Sequence, residues 1–255
     1  MTGSFHDLPL EQRRLLANRG TSHYSRHLSL LSPEEYGSAS GLEGWDRAHL
    51  IAHVAYNAAA LCNLMEWAQT GLEHPMYPSS TARDEEIETG ATLIPDALRN
   101  LHDHTVARLR VAWDETSKDA WEHEVRTAQG RTVPASETLW MRTREVWIHA
   151  VDLNAGARFS DIPEVILSTL FEEIPAKWRS TGTGADLVLV NEDDGTQIEV
   201  GDAPDSFSTS ADQRRVVRGT LAGIVRWAAG RGGVAVTATN GSGESTSVPQ
   251  PPRWL

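Results

Sequence analysis

Glu145 and His149 stand four residues apart in Glu145-Val146-Trp147-Ile148-His149, so on a helix they project from one face, one turn above the other. A carboxylate and a neutral imidazole are ligands for zinc and its first-row neighbours. A third ligand has to come from another element. His53 is the candidate, and His49, four residues before it and facing the same way, is its rival. Three protein ligands leave a position open for water or substrate, as a catalytic metal requires. Spacing does not choose between the two histidines, and the Glu-x-x-x-His pattern also occurs on solvated faces and in hydrogen-bonded pairs. The neighbourhood argues against a solvated face: Leu139, Trp140, Val146, Trp147, Ile148, Val151 and Leu153 make the segment apolar nearly all round, the pattern of a buried helix. Buried Glu and His need partners, and a metal supplies them. Asp152, three residues after His149, is placed either to orient that imidazole or to stand as a plain helix-surface carboxylate. The remaining histidines form no convincing ligand set.

The elements that must position these residues are helical. Leu10 to Leu31 carries apolar residues at helical spacing, ended by Ser32-Pro33. Asp46 is placed to cap a helix that runs through His49 and His53 to about Trp67, before Gly71 and Pro75 break it. A Pro/Ser-rich loop and a shorter acidic helix follow. Pro95 to Trp113 supplies another long helix, Gly130 to Pro134 a break, and Ser136 the start of the helix with Glu145 and His149. Four long helices predict a bundle whose interior can hold a metal. After Phe159 the texture changes. Leu187–Val190 and Gln197–Val200 flank Asp193-Asp194-Gly195, a hairpin signal. Further strands are expected at Arg214–Arg218 and Val234–Thr237, with a helix over Thr220–Ala229 and a surface tail from Gly241 to Pro252. The expected fold is therefore α+β: a four-helix metal-binding domain over residues 1–158 and a small α/β domain over residues 159–255.

Composition bounds the partners. The 255 residues are 40% hydrophobic and 23% charged, as in ordinary globular proteins, with a net charge of −12. Scattered acidic residues without a clustered Lys/Arg face argue against nucleic acid. One cysteine, Cys62, excludes an internal disulfide and fits a reducing cytoplasm. Residues 1–20 lack the uninterrupted apolar run of a signal peptide, and no stretch is long enough to span a bilayer, so no membrane partner is expected. Oligomeric state is not legible.

Leu42-Glu43-Gly44-Trp45-Asp46, followed by His49 to Val54, resembles the first metal motif of the DinB-like metalloprotein superfamily. Arg144 to Asp152 resembles the second motif of its actinobacterial branch. Phe5-His6-Asp7-Leu8-Pro9 near the start and Pro251 to Leu255 at the end extend the likeness over essentially the whole chain, and it is strongest to the mycothiol-dependent maleylpyruvate isomerase family. The resemblance implies a DinB-like bundle followed by a small α/β domain, with metal ligands on His53, Glu145 and His149. It also implies cis–trans isomerisation of maleylpyruvate to fumarylpyruvate in gentisate-type aromatic degradation, with mycothiol as a regenerated cofactor and a divalent metal, zinc by preference.

That chemistry suits such a site. A carbon–carbon double bond does not rotate; adding a thiolate makes it single, and eliminating the thiolate after rotation restores it in the trans form. A free thiol has a pKa of about 8.5, and a divalent ion deprotonates and holds it. The substrate is a dicarboxylate, for which a guanidinium fork is a suitable grip. Arg83, after the first metal helix, and Arg231, after Ala228-Ala229-Gly230, match family arginines implied to bind substrate or thiol; the alternative for each is a surface arginine. Arg144 and Arg226 have weaker claims. Trp45 and Trp147 are either pocket walls or core. Two rival functions use the same bundle: a mycothiol S-transferase acting on electrophiles, and a non-catalytic metal- or thiol-sensing module.

Overall fold

The structure, a computed structural model, describes residues 3–201 and 214–254; Leu255 of the closing motif lies outside them. The fold class is α+β, and the chain divides into two compact units. One spans Leu8–Ala157; the other gathers Met1–Asp7 with Arg158–Leu255.

The first unit is built on α1 (Leu10–Leu28), α2 (Arg47–Thr70), α4 (Pro95–Glu115) and α5 (Glu137–Asp152), with the shorter α3 (Ser80–Ala91) packed on α2. α2 is the central helix. Asp46 caps it, its Oδ1 accepting from the His49 N–H at 2.9 Å, and Gly71, in the left-handed region at φ 73°, ends it. Alanines make α2 slim and apolar on almost every side, and it is buried along most of its length. α5 packs against both α1 and α2, which brings Glu145 and His149 towards the His53 face. The expected break over Gly130–Pro134 is instead the second half of a hairpin. β1 (Glu124–Arg126) pairs antiparallel with β2 (Thr132–Pro134), and Gly130 takes φ 81° in the turn.

The second unit carries a five-stranded sheet in the order β4-β3-β5-β6-β7. β3 (Leu187–Asn191) and β4 (Gln197–Glu199) form the expected hairpin; β3 runs parallel to β5 (Arg215–Gly219), and the other pairs are antiparallel. α7 (Leu221–Ala228) returns over this sheet and packs on α6 (Glu164–Ser180). β6 (Val236–Asn240) begins two residues after and ends three residues after the strand expected at Val234–Thr237, and β7 (Ser245–Thr246) forms within the segment expected to be surface tail. The Phe5 N–H donates to Thr169 Oγ1 at 2.8 Å, tying the first residues into this unit. Among the described residues no helix is long and apolar enough to cross a membrane.

Candidate metal centre

His53 on α2 meets Glu145 and His149 on α5. Nε2 of His53 and Nε2 of His149 each lie 3.0 Å from the same carboxylate oxygen, Oε2 of Glu145. One ligand atom from each of the three falls within 4.8 Å of the others, the one such group of three His, Cys, Asp or Glu side chains among the described residues. Tetrahedral zinc with bonds of about 2.0–2.1 Å places its ligand atoms about 3.3 Å apart, close to the spacing seen. The three side chains are 9%, 16% and 12% exposed, so the cluster is nearly buried yet reachable from solvent.

The charges within the cluster offset one another only in part. Burial pushes the Glu145 carboxyl up, but hydrogen bonds from His149 and His53 outweigh it and hold the group well below 4.5. Burial pushes His149 down, while its bonds to Asp152 and Glu145 raise it to about 9. Burial dominates at His53, which stays below its ordinary 6.5. The protein alone therefore places its one positive charge on His149, between two carboxylates. A divalent cation satisfies the same carboxylates when both imidazoles are neutral.

Hydrogen bonds between the ends of α2 and α5 hold the two helices at this spacing. Arg47, in the first turn of α2, is buried; its Nε donates to Leu153 O at 2.7 Å and its Nη2 to Asn154 O at 3.0 Å. These are carbonyls that the end of α5 would otherwise leave unpaired. The Gly41 N–H donates to Asp152 O at 2.7 Å. Asp152 is itself 1% exposed and sets Oδ2 2.9 Å from Nδ1 of His149, the orienting position rather than the surface one.

The other residues singled out from sequence sort by place. His49 turns away from the cluster, with Nδ1 2.7 Å from Asp46 Oδ1 and Nε2 3.4 Å from Glu88 Oε2. Arg83 on α3 stands beside it, with Nη2 3.4 Å from Nδ1 of His53 and Nη1 2.8 Å from Asp84. The Trp45 ring lies 5.3 Å from that of His53, as a wall would. Trp147 belongs to the α1–α5 packing, stacked on His23 with its Nε1–H donating to Leu16 O. Arg231 belongs to the second unit, on the turn after α7, where its guanidinium donates to Ala229 O and its own carbonyl accepts from Arg226 Nε. Cys62 is buried, and burial raises its thiol pKa.

Tyr77 carries no spacing signal in the sequence. It sits between Pro75 and Pro78 in the loop before α3, hydrogen-bonded to Arg83 and within the field of Glu145. Burial, the largest influence, pushes its phenol up to about 12, so it is a neutral donor at the edge of the cluster. An aromatic between two helix-breaking prolines was the only available hint.

Comparison with known proteins agrees with this architecture. The model of the mycothiol maleylpyruvate isomerase N-terminal domain matches residues 18–154, and that of the MDMPI C-terminal domain matches residues 161–250. A crystal structure of a mycothiol-dependent maleylpyruvate isomerase superimposes with a TM-score of 0.91 at 64% identity, covering 99% of this chain and 100% of that one. A histidine-to-alanine mutant of a mycothiol-dependent maleylpyruvate isomerase superimposes with the same TM-score and coverage at 63% identity. No curated protein sequence matches. With both domain models matched in order and solved relatives aligned from end to end, this chain belongs to the mycothiol maleylpyruvate isomerase family.

Proposed function

We propose that this chain catalyses the mycothiol-dependent cis–trans isomerisation of maleylpyruvate to fumarylpyruvate. The observation that carries the reading is the convergence of His53, Glu145 and His149 beside Arg83, in a chain of this family. In this reading the three side chains hold a divalent metal, zinc by preference. Bound there, the ion acts as a Lewis acid that keeps a thiol deprotonated at neutral pH. A cofactor thiol bound beside these residues would supply a reversible nucleophile, the chemistry that lets a double bond become single, turn and re-form.

The chain's own residues do the rest. His53 and His149 present Nε2 inward, and Asp152 fixes the ring of His149. Arg83 is exposed on one side, and its guanidinium sits next to the ligand ring, where it can pair with a carboxylate and stabilise the negative charge that grows on the substrate's oxo group during addition. Arg231 is assigned the second anion-binding role on the family resemblance. No protein thiol competes, because Cys62 is buried and its pKa is raised. An absorbance assay of maleylpyruvate turnover on zinc-loaded protein, with and without catalytic mycothiol, tests the reading. Many turnovers per thiol, lost in His53→Ala, are expected. Metal bound without turnover overturns it.

A further inference from the structure

The loop between α2 and α3 turns back along α2 towards His53, and it is held on either side of Tyr77. Before it, Asn63 on α2 donates from Nδ2 to Pro75 O and to Met76 O, each at 3.3 Å, and Met76 is buried. After it, Ser79 caps α3, its Oγ accepting from the Ala82 N–H at 3.0 Å. One turn further on, Arg83 brings Nη2 to 3.4 Å from Nδ1 of His53. A side chain carried on a loop held from both sides has little freedom left to lose when a ligand arrives.

The direction of hydrogen bonding at Tyr77 follows from its partner. Arg83 has donors and no acceptor, so the Tyr77 oxygen accepts from it and the hydroxyl hydrogen points elsewhere. Two carboxylates, Glu145 and Glu86, reach the phenol with their charge but not with a bond. Glu145 is turned to His53 and His149. Burial outweighs the Arg83 charge and holds the phenol at about 12, so the hydroxyl keeps its hydrogen at neutral pH. Tyr77 is half-buried, which leaves it open on one side. A neutral donor therefore stands next to a cationic one at the edge of the cluster.

We propose that Tyr77 is a further catalytic residue, its O–H donating to the substrate oxo oxygen that is conjugated with the double bond while Arg83 pairs with the carboxylate. The proposal rests on the isomerase reading given above. In the cis isomer the carboxylate and the conjugated oxo group lie on the same side of the double bond, so two adjacent donors can meet both groups at once. In the trans isomer the same two groups point apart, and one site cannot grip both. The donor types match as well: a forked cation suits the carboxylate, and a neutral hydroxyl suits an oxygen that carries negative charge only in passing. Tyr77 keeps its proton throughout. Its hydrogen bond strengthens as charge grows on the oxygen, which is stabilisation gained in the transition state rather than in the bound substrate.

The test uses the full-length, zinc-loaded protein and Tyr77→Phe, which removes the hydroxyl and keeps the ring. With catalytic mycothiol, kcat is expected to fall on the order of a hundredfold at unchanged KM and metal content. Without the thiol, maleylpyruvate bound to the wild type is expected to absorb at longer wavelength than in free solution, because a donor on the oxo oxygen polarises the conjugated system. Tyr77→Phe is expected to lose most of that shift. A hydroxyl that served only to hold Arg83 would raise KM and leave kcat unchanged, and that outcome overturns the proposal. Wild-type turnover with an equal kcat, or an equal band position, in the variant overturns this proposal alone. No turnover by either protein overturns the isomerase reading, and the role of Tyr77 with it.

Discussion

Asp152 Oδ2 lies 2.9 Å from Nδ1 of His149, and the carboxylate is almost wholly out of water. The contact fixes which nitrogen faces Glu145 and raises the basicity of that nitrogen. Asp152→Asn retains the shape and removes the charge. A loss of metal affinity of about 10- to 100-fold is expected, measured by competition with a chromophoric chelator. Unchanged affinity would show that Asp152 does not orient the ligand.

A Cβ added to Gly41 would sit 2.9 Å from both Cα and Oδ1 of Asp152. The Cα cannot yield without moving the end of α5, and Oδ1 can yield only by turning the carboxylate that faces His149. Gly41→Ala is therefore expected to cost about 1–3 kcal/mol of stability and to weaken metal retention in the same direction as Asp152→Asn. Urea unfolding together with the chelator competition checks both; a neutral substitution would mean that the 38–46 loop is free to shift.

Arg83 is the charged donor beside His53, and a lysine there keeps the charge but loses the fork. Hydrogen bonds to charged groups are worth about 1.5–3 kcal/mol, so Arg83→Lys is expected to lower kcat/KM by about ten- to a hundredfold. Metal content should stay at the wild-type level. Steady-state kinetics with metal analysis separates the two, and loss of metal in this variant would move Arg83 from the substrate to the support of His53.

His102 is fully buried with Nε2 2.9 Å from the Ser25 hydroxyl; burial first, and the Arg142 charge second, push its pKa from the ordinary 6.5 down to about 3. The unfolded chain takes up this proton below about pH 6.5, whereas the folded chain refuses it until about pH 3. More protons on the unfolded side mean that stability falls as pH falls through this window, by about 1.4 kcal/mol per pH unit for this group. In His102→Gln that share disappears. Urea midpoints of the two proteins compared between neutral pH and about pH 4 isolate it from the carboxylates they share, and parallel curves would mean that His102 is protonated in the fold.

Local geometry was legible in the sequence. The spacing of Glu145 and His149 sets them on one helix face because 3.6 residues per turn leaves no other choice. Asp46 and Gly71 bound α2 because a side-chain acceptor and a left-handed residue are what its two ends need. Asp193-Asp194-Gly195 announced the β3–β4 hairpin for a similar reason. What depends on how elements approach one another was not legible. His49 and His53 share a face of α2, and only the line along which α5 crosses it sends His53 to Glu145 while His49 turns to Asp46 and Glu88. The approach of α5 to α1 rests on Gly20, where a Cβ would fall 2.5 Å from the Trp147 ring, a constraint with no periodicity to reveal it. Tyr77 and Arg142 likewise have their roles from neighbours distant in sequence: Arg83 for one, Val54 and Asn57 for the other. Sequence alone determined the helices and two of the three clustered side chains, because those follow from the rise and turn of a single backbone. The third side chain, its orientation and the buried arginine were decided by packing between helices, which no single segment encodes.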